Sequence, residues 1–297
     1  MNKSLAIQLI TQVFHCSEAE ISNVSVMKKG MTNRSFLFRV REEKYILRIP
    51  GEGTDRLIDR RAEAEIFRAI SGYGFCDDPY YIDPGTGIKI TRFLEGARSC
   101  DPKKEEDLIR CMRLLRQFHE KKIRVRNEYP LFGQINLYEG LRCGTPSIFP
   151  DYEEVKAHVF ELKSIIDAQP KDYSLTHIDA VPDNFLFYMQ DGTEKLQLTD
   201  WEYAGMQDPH VDIAMFAIYS LYSKEEVDHL IDLYFEGACP ETVRTKIYCY
   251  TAVCGLLWSN WCEFKQQVGE DFGDYILRQY QYAKDFYGYV KERQHRL

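Results

Sequence analysis

The segment HIDAVPDN at residues 177–184 is followed, sixteen positions after its last residue, by DWE at residues 200–202. The intervening stretches FLFYM and EKLQLT have the composition of β-strands and flank Asp191-Gly192, the strongest short signal for a tight hairpin turn. Because a hairpin returns the chain to its start, we expect Asn184 and Asp200 to lie side by side. The spacing of the polar residues therefore has a geometric reason.

These residues are the parts that phosphoryl transfer needs, in the order that is typical of kinase-type phosphotransferases. Asp179 can orient and deprotonate a substrate hydroxyl, and the oxygens of Asn184 and Asp200 can bind Mg²⁺, which prefers a few hard oxygen ligands together with phosphate oxygens. A surface loop rich in Asp and Asn is the alternative interpretation. It explains any one of these residues but not the whole set with its hairpin.

Departures from the protein-kinase pattern narrow the class of acceptor. Ile178 stands where a protein kinase has Arg, Trp201-Glu202 replaces Phe-Gly, and no A-P-E segment follows before the apolar run at residues 211–221. The sequence therefore favours a constitutive kinase of small molecules over a protein kinase that is controlled by phosphorylation of a loop.

Composition excludes several classes of protein. The 297 residues suit one large domain or two linked domains, and the net charge of −8 makes nucleic acid or an anionic membrane a poor partner. The nine cysteines are odd in number and form no C-x-x-C motif, which predicts reduced and mostly buried thiols. No signal peptide or membrane-length apolar run is present, so we expect a cytoplasmic protein with no membrane or protein partner.

Local patterns predict an α+β fold of the bilobal, protein-kinase-like type. A small β-rich lobe spans residues 1–95, and a larger, mainly helical lobe spans 96–297 and holds the catalytic segment. Phe93 begins the candidate hinge, which extends to Gly96, and is a candidate nucleotide contact. The predicted strands and helices are strands near 24–28, 35–41, 44–49 and 88–94, and helices at 4–15, 59–70, 103–121, 151–167, 208–222, 224–236, 241–267 and 271–293.

The small lobe supplies candidate residues for binding ATP. Between the first two strands lies KGMTNRS, a turn whose backbone N–H groups and side chains can face phosphates, with the candidates Thr32, Asn33 and Ser35. Arg48, on the third strand, stands where a kinase carries its phosphate-pairing Lys. Its orienting partner should be Glu63 rather than Glu65. An exposed strand end for Arg48, and a solvated helix face for Glu63, are the alternatives.

Nearly the whole chain resembles the choline/ethanolamine kinases, and most closely the bacterial choline kinases of the phosphocholine-decoration type. The resemblance rests on the segments quoted above, on YILRI around Arg48, on FLEG at the hinge, and on the Trp-rich helix near residue 260. It implies a fold shared with the aminoglycoside phosphotransferases, MgATP as the phosphoryl donor, Asp179 as the catalytic base, and Asn184 and Asp200 as Mg²⁺ ligands. By the same resemblance, Asp212 and His177 brace the catalytic loop.

The acceptor pocket is predicted from aromatic residues. Trp258 and Trp261 lie on one face of a helix, and several aromatic faces can hold a quaternary ammonium by cation–π attraction. Tyr203 is a further candidate, and Tyr282 is the best match to the family's cage tyrosine, although aromatic residues at helical spacing are often only core. Glu202 either adds a negative charge near the ammonium or pairs with a cation of the protein.

The predicted reaction is therefore the transfer of the ATP γ-phosphoryl group to choline. Three alternatives stay open from sequence: ethanolamine or another small alcohol as acceptor, an aminoglycoside as acceptor, and an inactive nucleotide-binding pseudokinase. The paired tryptophans argue against an aminoglycoside, and the presence of Asp179, Asn184 and Asp200 argues against a pseudokinase.

Overall fold

A computed structural model describes residues 3–27, 33–51, 54 and 57–295 of the chain. The described residues form two compact units. The first takes its residues from Met1–Ser99 and Leu186–Tyr203, and the second comprises Cys100–Phe185 and Ala204–Leu297. The boundary predicted after residue 95 stays a prediction, and the first unit also includes the hairpin that follows the catalytic segment.

The helices and strands of the described residues alternate along the chain. In chain order the helices are α1 (Lys3–Phe14), α2 (Arg60–Ile70), α3 (Glu105–Glu120), α4 (Leu131–Leu141), α5 (Tyr152–Asp167), α6 (His210–Tyr219), α7 (Lys224–Phe235), α8 (Glu241–Gln267) and α9 (Tyr275–Gln294). The strands are β1 (Ile21–Val26), β2 (Asn33–Val40), β3 (Glu43–Pro50), β4 (Tyr81–Ile82), β5 (Lys89–Arg92), β6 (Arg98–Ser99), β7 (Ser174–Thr176), β8 (Phe185–Gln190), β9 (Thr193–Leu198) and β10 (Gly205–Gln207).

The first unit is built on an antiparallel five-stranded sheet in the order β1-β2-β3-β5-β4. Strands β2 and β3 alternate buried and less buried residues, as expected for a sheet with one face on a core. Phe38 and Leu47 are fully buried on that face, where Ile10 of α1 joins the same cluster. The register places Ser35 opposite Arg48, so the two candidate residues share one end of the sheet.

The hairpin predicted between Asn184 and Asp200 is confirmed. Strands β8 and β9 lie side by side in a three-stranded sheet with β6, and Asp191 and Gly192 form the turn between them. Both turn residues have positive φ, 50° and 73°, which is the conformation that a two-residue hairpin of type I′ requires. Asp200 follows β9 directly, so the hairpin fixes where this carboxylate enters the first unit.

The second unit is mainly helical and centres on α8. Residues along nearly the whole of α8 are buried, because neighbouring helices of this unit cover it on several sides. Gly255 lets α9 approach closely, since a Cβ at this position would lie 2.7 Å from the carbonyl oxygen of Gln279 and from Tyr282 Cβ. Helix α6 is mostly apolar and is buried from Val211 to Ile218, with the carboxylate of Asp212 among the buried side chains.

The predicted elements agree with the structure except in short or weakly patterned segments. Helix α4 was not predicted, because its sequence LFGQINLYEGL has two glycines and no capping side chain at its start. The pairing of β7 with β10 was not predicted either, since three-residue strands are too short for a period-2 pattern. Strand β1 begins at Ile21, earlier than the predicted 24.

Two general expectations concern the cysteines and the membrane. All nine cysteines are free thiols, and seven of them are buried. Within the residues that the structure describes, every helix is too short or too polar to serve as a membrane span.

Candidate active site

The catalytic segment of the second unit is braced by one buried carboxylate. Asp212, fully buried on α6, accepts hydrogen bonds from the backbone N–H of His177 at 2.9 Å and of Ile178 at 2.7 Å. Ile178 has φ +70°, a conformation that is costly for a β-branched residue. The two bonds hold the chain in this strained turn, which sets the direction in which Asp179 leaves the loop.

A buried histidine in turn fixes Asp212. His119 of α3 places Nε2 3.0 Å from Asp212 Oδ2 and Nδ1 2.8 Å from the hydroxyl of Tyr234. The hydrogen-bond pattern assigns the proton to Nε2, since Asp212 can only accept while the Tyr234 hydroxyl can donate to Nδ1. The carboxylate thus receives three hydrogen bonds in a site closed to water.

Asp179 and Asn184 are brought together by the turn that follows. The 3-10 helix Pro182–Asn184 reverses the chain, and the amide nitrogen of Asn184 donates to the backbone oxygen of Asp179 at 2.8 Å and to its Oδ2 at 3.1 Å. The amide nitrogen is therefore committed to Asp179. This orientation turns the amide oxygen of Asn184 away from Asp179, as a metal ligand requires.

In the first unit, four buried side chains of alternating charge form a closed ring, which we call the charge ring: Arg48, Glu63, Arg60 and Glu202. Arg48 pairs with Glu63, the partner preferred over Glu65 from sequence, through one Glu63 oxygen, and Arg60 Nη1 binds the other at 3.0 Å. Glu202 Oε2 closes the ring, 3.1 Å from Arg60 Nη1 and 3.4 Å from Arg48 Nη1. Asn33 Nδ2 donates to the same Glu202 oxygen at 3.0 Å.

The pKa values of the two carboxylates of the charge ring shift in opposite directions. Burial raises the pKa of Glu63, but the positive charges of Arg48, Lys89 and Arg60 outweigh it, and the pKa lies below its ordinary value. Burial together with the nearby charge of Asp200 raises the pKa of Glu202, against the opposing effect of the two arginines. The ionised form of Glu202 is therefore less fully compensated by its cations than that of Glu63.

Asp200 is the accessible carboxylate beside the ring. Its side chain is 40% exposed, whereas that of Glu202 is 2% exposed, and its Oδ1 lies 3.4 Å from Arg48 Nη1. The backbone of Asp200 has φ +63°, a second strained residue at a candidate catalytic position. The next residue, Trp201, is fully buried and donates its Nε1–H to the carbonyl of Leu198, so this tryptophan anchors the turn.

Carboxylate and amide oxygens of this kind suit Mg²⁺. Among the described residues no cluster of three or more His, Cys, Asp or Glu side chains forms a metal cage. A nucleotide-bound Mg²⁺ needs only one or two protein oxygens, because phosphate and water supply the rest. In the first unit the exposed Asp200 carboxylate has this chemistry, and in the second unit so does the Asn184 amide, whose nitrogen is already bonded.

In the second unit, aromatic rings make a continuous series, the aromatic row. Trp258 and Trp261 stack with centroids 5.8 Å apart and an interplanar angle of 15°, and Phe272 meets Trp261 edge-on at 5.4 Å. Tyr275 follows Phe272 at 6.5 Å, and Tyr219 follows Tyr275 at 6.2 Å. The row therefore connects α8 to the end of α6.

The Tyr219 end of the aromatic row reaches the catalytic segment. The hydroxyl of Tyr219 donates to Asp183 Oδ2 at 2.7 Å. Burial raises the pKa of Tyr219 and of Tyr275, and the charge of Asp179 raises both further. Both phenols thus lie within the electrostatic field of Asp179, so one end of the row is apolar and the other is next to carboxylates.

One ring of the row already attracts an internal cation. The ammonium of Lys265 lies 5.7 Å from the centroid of Trp261. The indole Nε1 of Trp261 makes no hydrogen bond within the described part of the chain, although this residue is only 4% exposed. The environment of Trp261 therefore accepts a cation at a ring face and leaves a buried donor available.

Two further sequence candidates are Tyr282 of the second unit and Tyr203 of the first. Tyr282 donates its hydroxyl to the carbonyl of Tyr222 at 2.6 Å, and its ring contacts Phe286 at 5.9 Å. Its role in substrate binding stays a prediction. Tyr203 is buried in the 3-10 helix Trp201–Tyr203 of the first unit.

The remaining nucleotide candidates belong to the first unit. Phe93 is half-buried at the end of β5 and donates its backbone N–H to the carbonyl of Lys44 at 2.9 Å. Ser35 is half-buried on β2. Thr32 lies outside the described residues. The nucleotide-binding roles of all three stay predictions.

The structure adds Arg60, Tyr219, Phe272 and Tyr275 to the candidate set. Arg60 is the first residue of α2, where a cation is unfavourable for the helix dipole, so its identity was a signal that sequence reasoning did not use. The three aromatic residues come from two helices and a connecting loop. No period in the sequence links them, and only the tertiary fold makes them neighbours.

Comparison with known proteins places the chain in a family. A sequence model described as "Choline/ethanolamine kinase" matches residues 24–231. Protein LicA of Haemophilus influenzae is 29% identical over 271 residues, which are 84% of this chain and 75% of that protein. The crystal structure of the choline kinase LicA from Streptococcus pneumoniae superimposes with a TM-score of 0.83 at 28% identity, covering 97% of this chain and 99% of the other.

A further structure, of LicA in complex with AMP, superimposes with a TM-score of 0.81 at 29% identity, covering 97% of this chain and 98% of the other. The α+β fold inferred from sequence is thus confirmed. The family model spans more than half of the sequence and includes both catalytic segments. The chain belongs to the choline/ethanolamine kinase family.

Proposed function

We propose that the protein transfers the γ-phosphoryl group of MgATP to the hydroxyl of choline, giving phosphocholine and ADP. The observation that carries the choice of choline is the aromatic row, which runs from the stacked tryptophans of α8 to the carboxylate-bearing catalytic segment. A trimethylammonium group has no N–H to donate and is held best by aromatic faces. The relatives named LicA include a choline kinase, which supports the same acceptor.

Asp179 is the proposed general base. It lies beside the Tyr219 end of the row, so an acceptor whose ammonium sits against indole and phenol faces has its hydroxyl directed toward a carboxylate. Asn184 donates to this carboxylate and restrains its rotation. Holding the hydroxyl in line with the donor contributes rate by positioning rather than by covalent chemistry.

The donor side belongs to the first unit. Arg48 is proposed to neutralise charge on the donor phosphates, with Asn33, Ser35 and Thr32 near them, and Glu63 orients its guanidinium. Asn184 and Asp200 would hold Mg²⁺, which supplies positive charge to the donor phosphates. The AMP complex of a relative supports an adenine nucleotide as donor. ATP use and nine free thiols fit a cytoplasmic location.

The test is ADP release from MgATP with choline, ethanolamine and an aminoglycoside as acceptors, using Asp179→Ala as the blank. We expect turnover that depends on choline and is lost by orders of magnitude in the blank, with little change in nucleotide affinity. Turnover with ethanolamine or an aminoglycoside in preference to choline would overturn the acceptor and keep the kinase. Turnover in Asp179→Ala near the wild-type rate would overturn the base.

A further inference from the structure

Arg60 is a member of the charge ring to which the proposed mechanism assigns no role. Arg60 is 8% exposed and lies at the first position of α2, where the helix dipole disfavours a cation. Its Nη1 nonetheless bridges Glu63 Oε2 at 3.0 Å and Glu202 Oε2 at 3.1 Å. Its Nη2 donates to Thr54 Oγ1 at 3.2 Å. The two carboxylates it binds are those that bind Arg48.

The backbone around Arg60 is shaped to hold its side chain. Gly87, with φ +71°, precedes β5, and a Cβ at this position would lie 2.8 Å from Arg60 Cγ and closer still to Cδ. The carbonyl of Gly87 also accepts from Arg48 Nη2 at 3.4 Å. One glycine therefore lets the chain approach both arginines. It lies against the aliphatic part of the Arg60 side chain, and its carbonyl binds the guanidinium of Arg48.

The balance of charge explains what Arg60 does. Arg48 faces three carboxylates: Glu63, Glu202 and Asp200. Arg60 binds two of these anions, Glu63 and Glu202, directly. Without it, Arg48 would be the one ring arginine left to bind them in a largely dry site, where an unpaired charge is most costly. The Arg48 guanidinium would then be drawn more strongly to Glu202 and Asp200, which lie 3.4 Å from its Nη1, and less of its charge would be left for a phosphate.

We propose that Arg60 is a positioning residue for phosphoryl transfer, which binds Glu63 and Glu202 so that Arg48 stays directed at the donor phosphates and Asp200 stays available to the metal. This inference rests on the nucleotide-binding half of the proposed function and is independent of which alcohol is the acceptor. Arg60 acts through Arg48 and Glu202 and is not expected to touch the nucleotide.

The first experiment compares Arg60→Gln with Arg61→Gln. Arg61 is the next residue on the same helix turn, its side chain is exposed, and its loss removes the same charge. We expect Arg60→Gln to weaken ADP binding, measured by calorimetry, and to raise the KM for MgATP by roughly 10–100-fold, with the choline KM unchanged. Arg61→Gln should leave all three quantities within about twofold of wild type.

Rescue by Lys separates positioning from a general structural role. Because a single nitrogen of Arg60 binds both carboxylates, one ammonium nitrogen can bind both as well, although Lys is one atom shorter than Arg and its side chain must shift toward them; the Thr54 bond is lost. We expect Arg60→Lys to recover most of the ADP affinity. A structural role would instead lower the amount of folded enzyme, with normal KM values in the remainder. That pattern, or ADP affinity within about twofold of wild type in Arg60→Gln, overturns the proposal.

A double variant keeps the test valid if Arg60→Gln does not fold. Arg60→Gln with Glu202→Gln removes one charge of each sign and restores the balance around Arg48. In the Glu202→Gln background, the loss of Arg60 should change ADP affinity by no more than about twofold. An ADP affinity in the double variant that is roughly 10-fold or more below that of Glu202→Gln contradicts action through Glu202. Since ADP binding needs no acceptor, these results remain readable if choline is not the substrate.

Discussion

Asp212 offers the sharpest test of how the fold controls the catalytic segment. In Asp212→Asn, one carboxylate oxygen becomes an NH₂ group. If the remaining oxygen keeps the Ile178 N–H bond of 2.7 Å, the new amide nitrogen faces the N–H of His177, which cannot accept a hydrogen bond. His119 can adapt by exchanging its tautomer, because its other nitrogen faces the Tyr234 hydroxyl. The backbone N–H of His177 cannot adapt.

The magnitude follows from these bonds. One buried N–H left without an acceptor costs about 1–3 kcal/mol, and the loss of ionic character in the Ile178 bond adds about 1 kcal/mol. The free energy of unfolding should therefore fall by roughly 2–4 kcal/mol. The restraint on Ile178, whose φ is +70°, weakens at the same time. A displacement of Asp179 of about 1 Å should lower kcat roughly 100-fold.

The assay is coupled ADP release at saturating substrate, at a temperature where circular dichroism shows the variant to be folded. Asp208→Asn is the matched control. Asp208 is also fully buried in the second unit, but it accepts from Lys246 at 2.7 Å and from Tyr250 at 3.1 Å. This control should lose comparable stability and keep kcat per folded enzyme. A kcat within about threefold of wild type in Asp212→Asn, or an equal kcat loss in the control, refutes the reasoning.

Two further predictions concern the acceptor pocket and pH. Trp261→Leu removes a ring of the aromatic row, so the choline KM should rise about 2–30-fold, the equivalent of ~0.5–2 kcal/mol of cation–π attraction, with the KM for MgATP unchanged. Burial lowers the pKa of His210 to about 4. In the unfolded state, where the His pKa is near 6.5, the imidazole binds a proton more readily than in the folded state. The stability that neutral His210 contributes is therefore fully present above pH 6.5 and is lost as the pH falls toward 4. Urea unfolding at pH 7.5 and 5.5 should show His210→Phe losing about 1 kcal/mol less than wild type on acidification.

Each of these two predictions can be refuted by a specific result. An unchanged choline KM in Trp261→Leu and also in Trp258→Leu would show that the stacked indoles serve only the helix core. Equal losses of stability between pH 7.5 and 5.5 in wild type and His210→Phe would show that another group carries the acid sensitivity.

Sequence patterns were sufficient where chemistry is local. The hairpin between Asn184 and Asp200 follows from strand-forming residues around Asp191-Gly192, because turn type depends on two residues alone. The spacing from Asp179 to Asn184 likewise lies within one turn of chain, and the two side chains meet. Glu63 was preferred to Glu65 as the partner of Arg48, and the structure pairs Arg48 with Glu63.

Long-range partners could not be read from the chain in the same way. The second cation of the charge ring, Arg60, is separated by 142 residues from Glu202, and Tyr219 lies far in sequence from Tyr275. Tyr282 and Tyr275 have the same residue type and lie on the same helix. The packing of α9 at Gly255 directs one toward Tyr222, while the other lies in the aromatic row. Residue type and spacing therefore determine which chemistry this chain can perform. Because side-chain direction depends on how helices pack, only the tertiary structure decides which of several residues of the same type become neighbours.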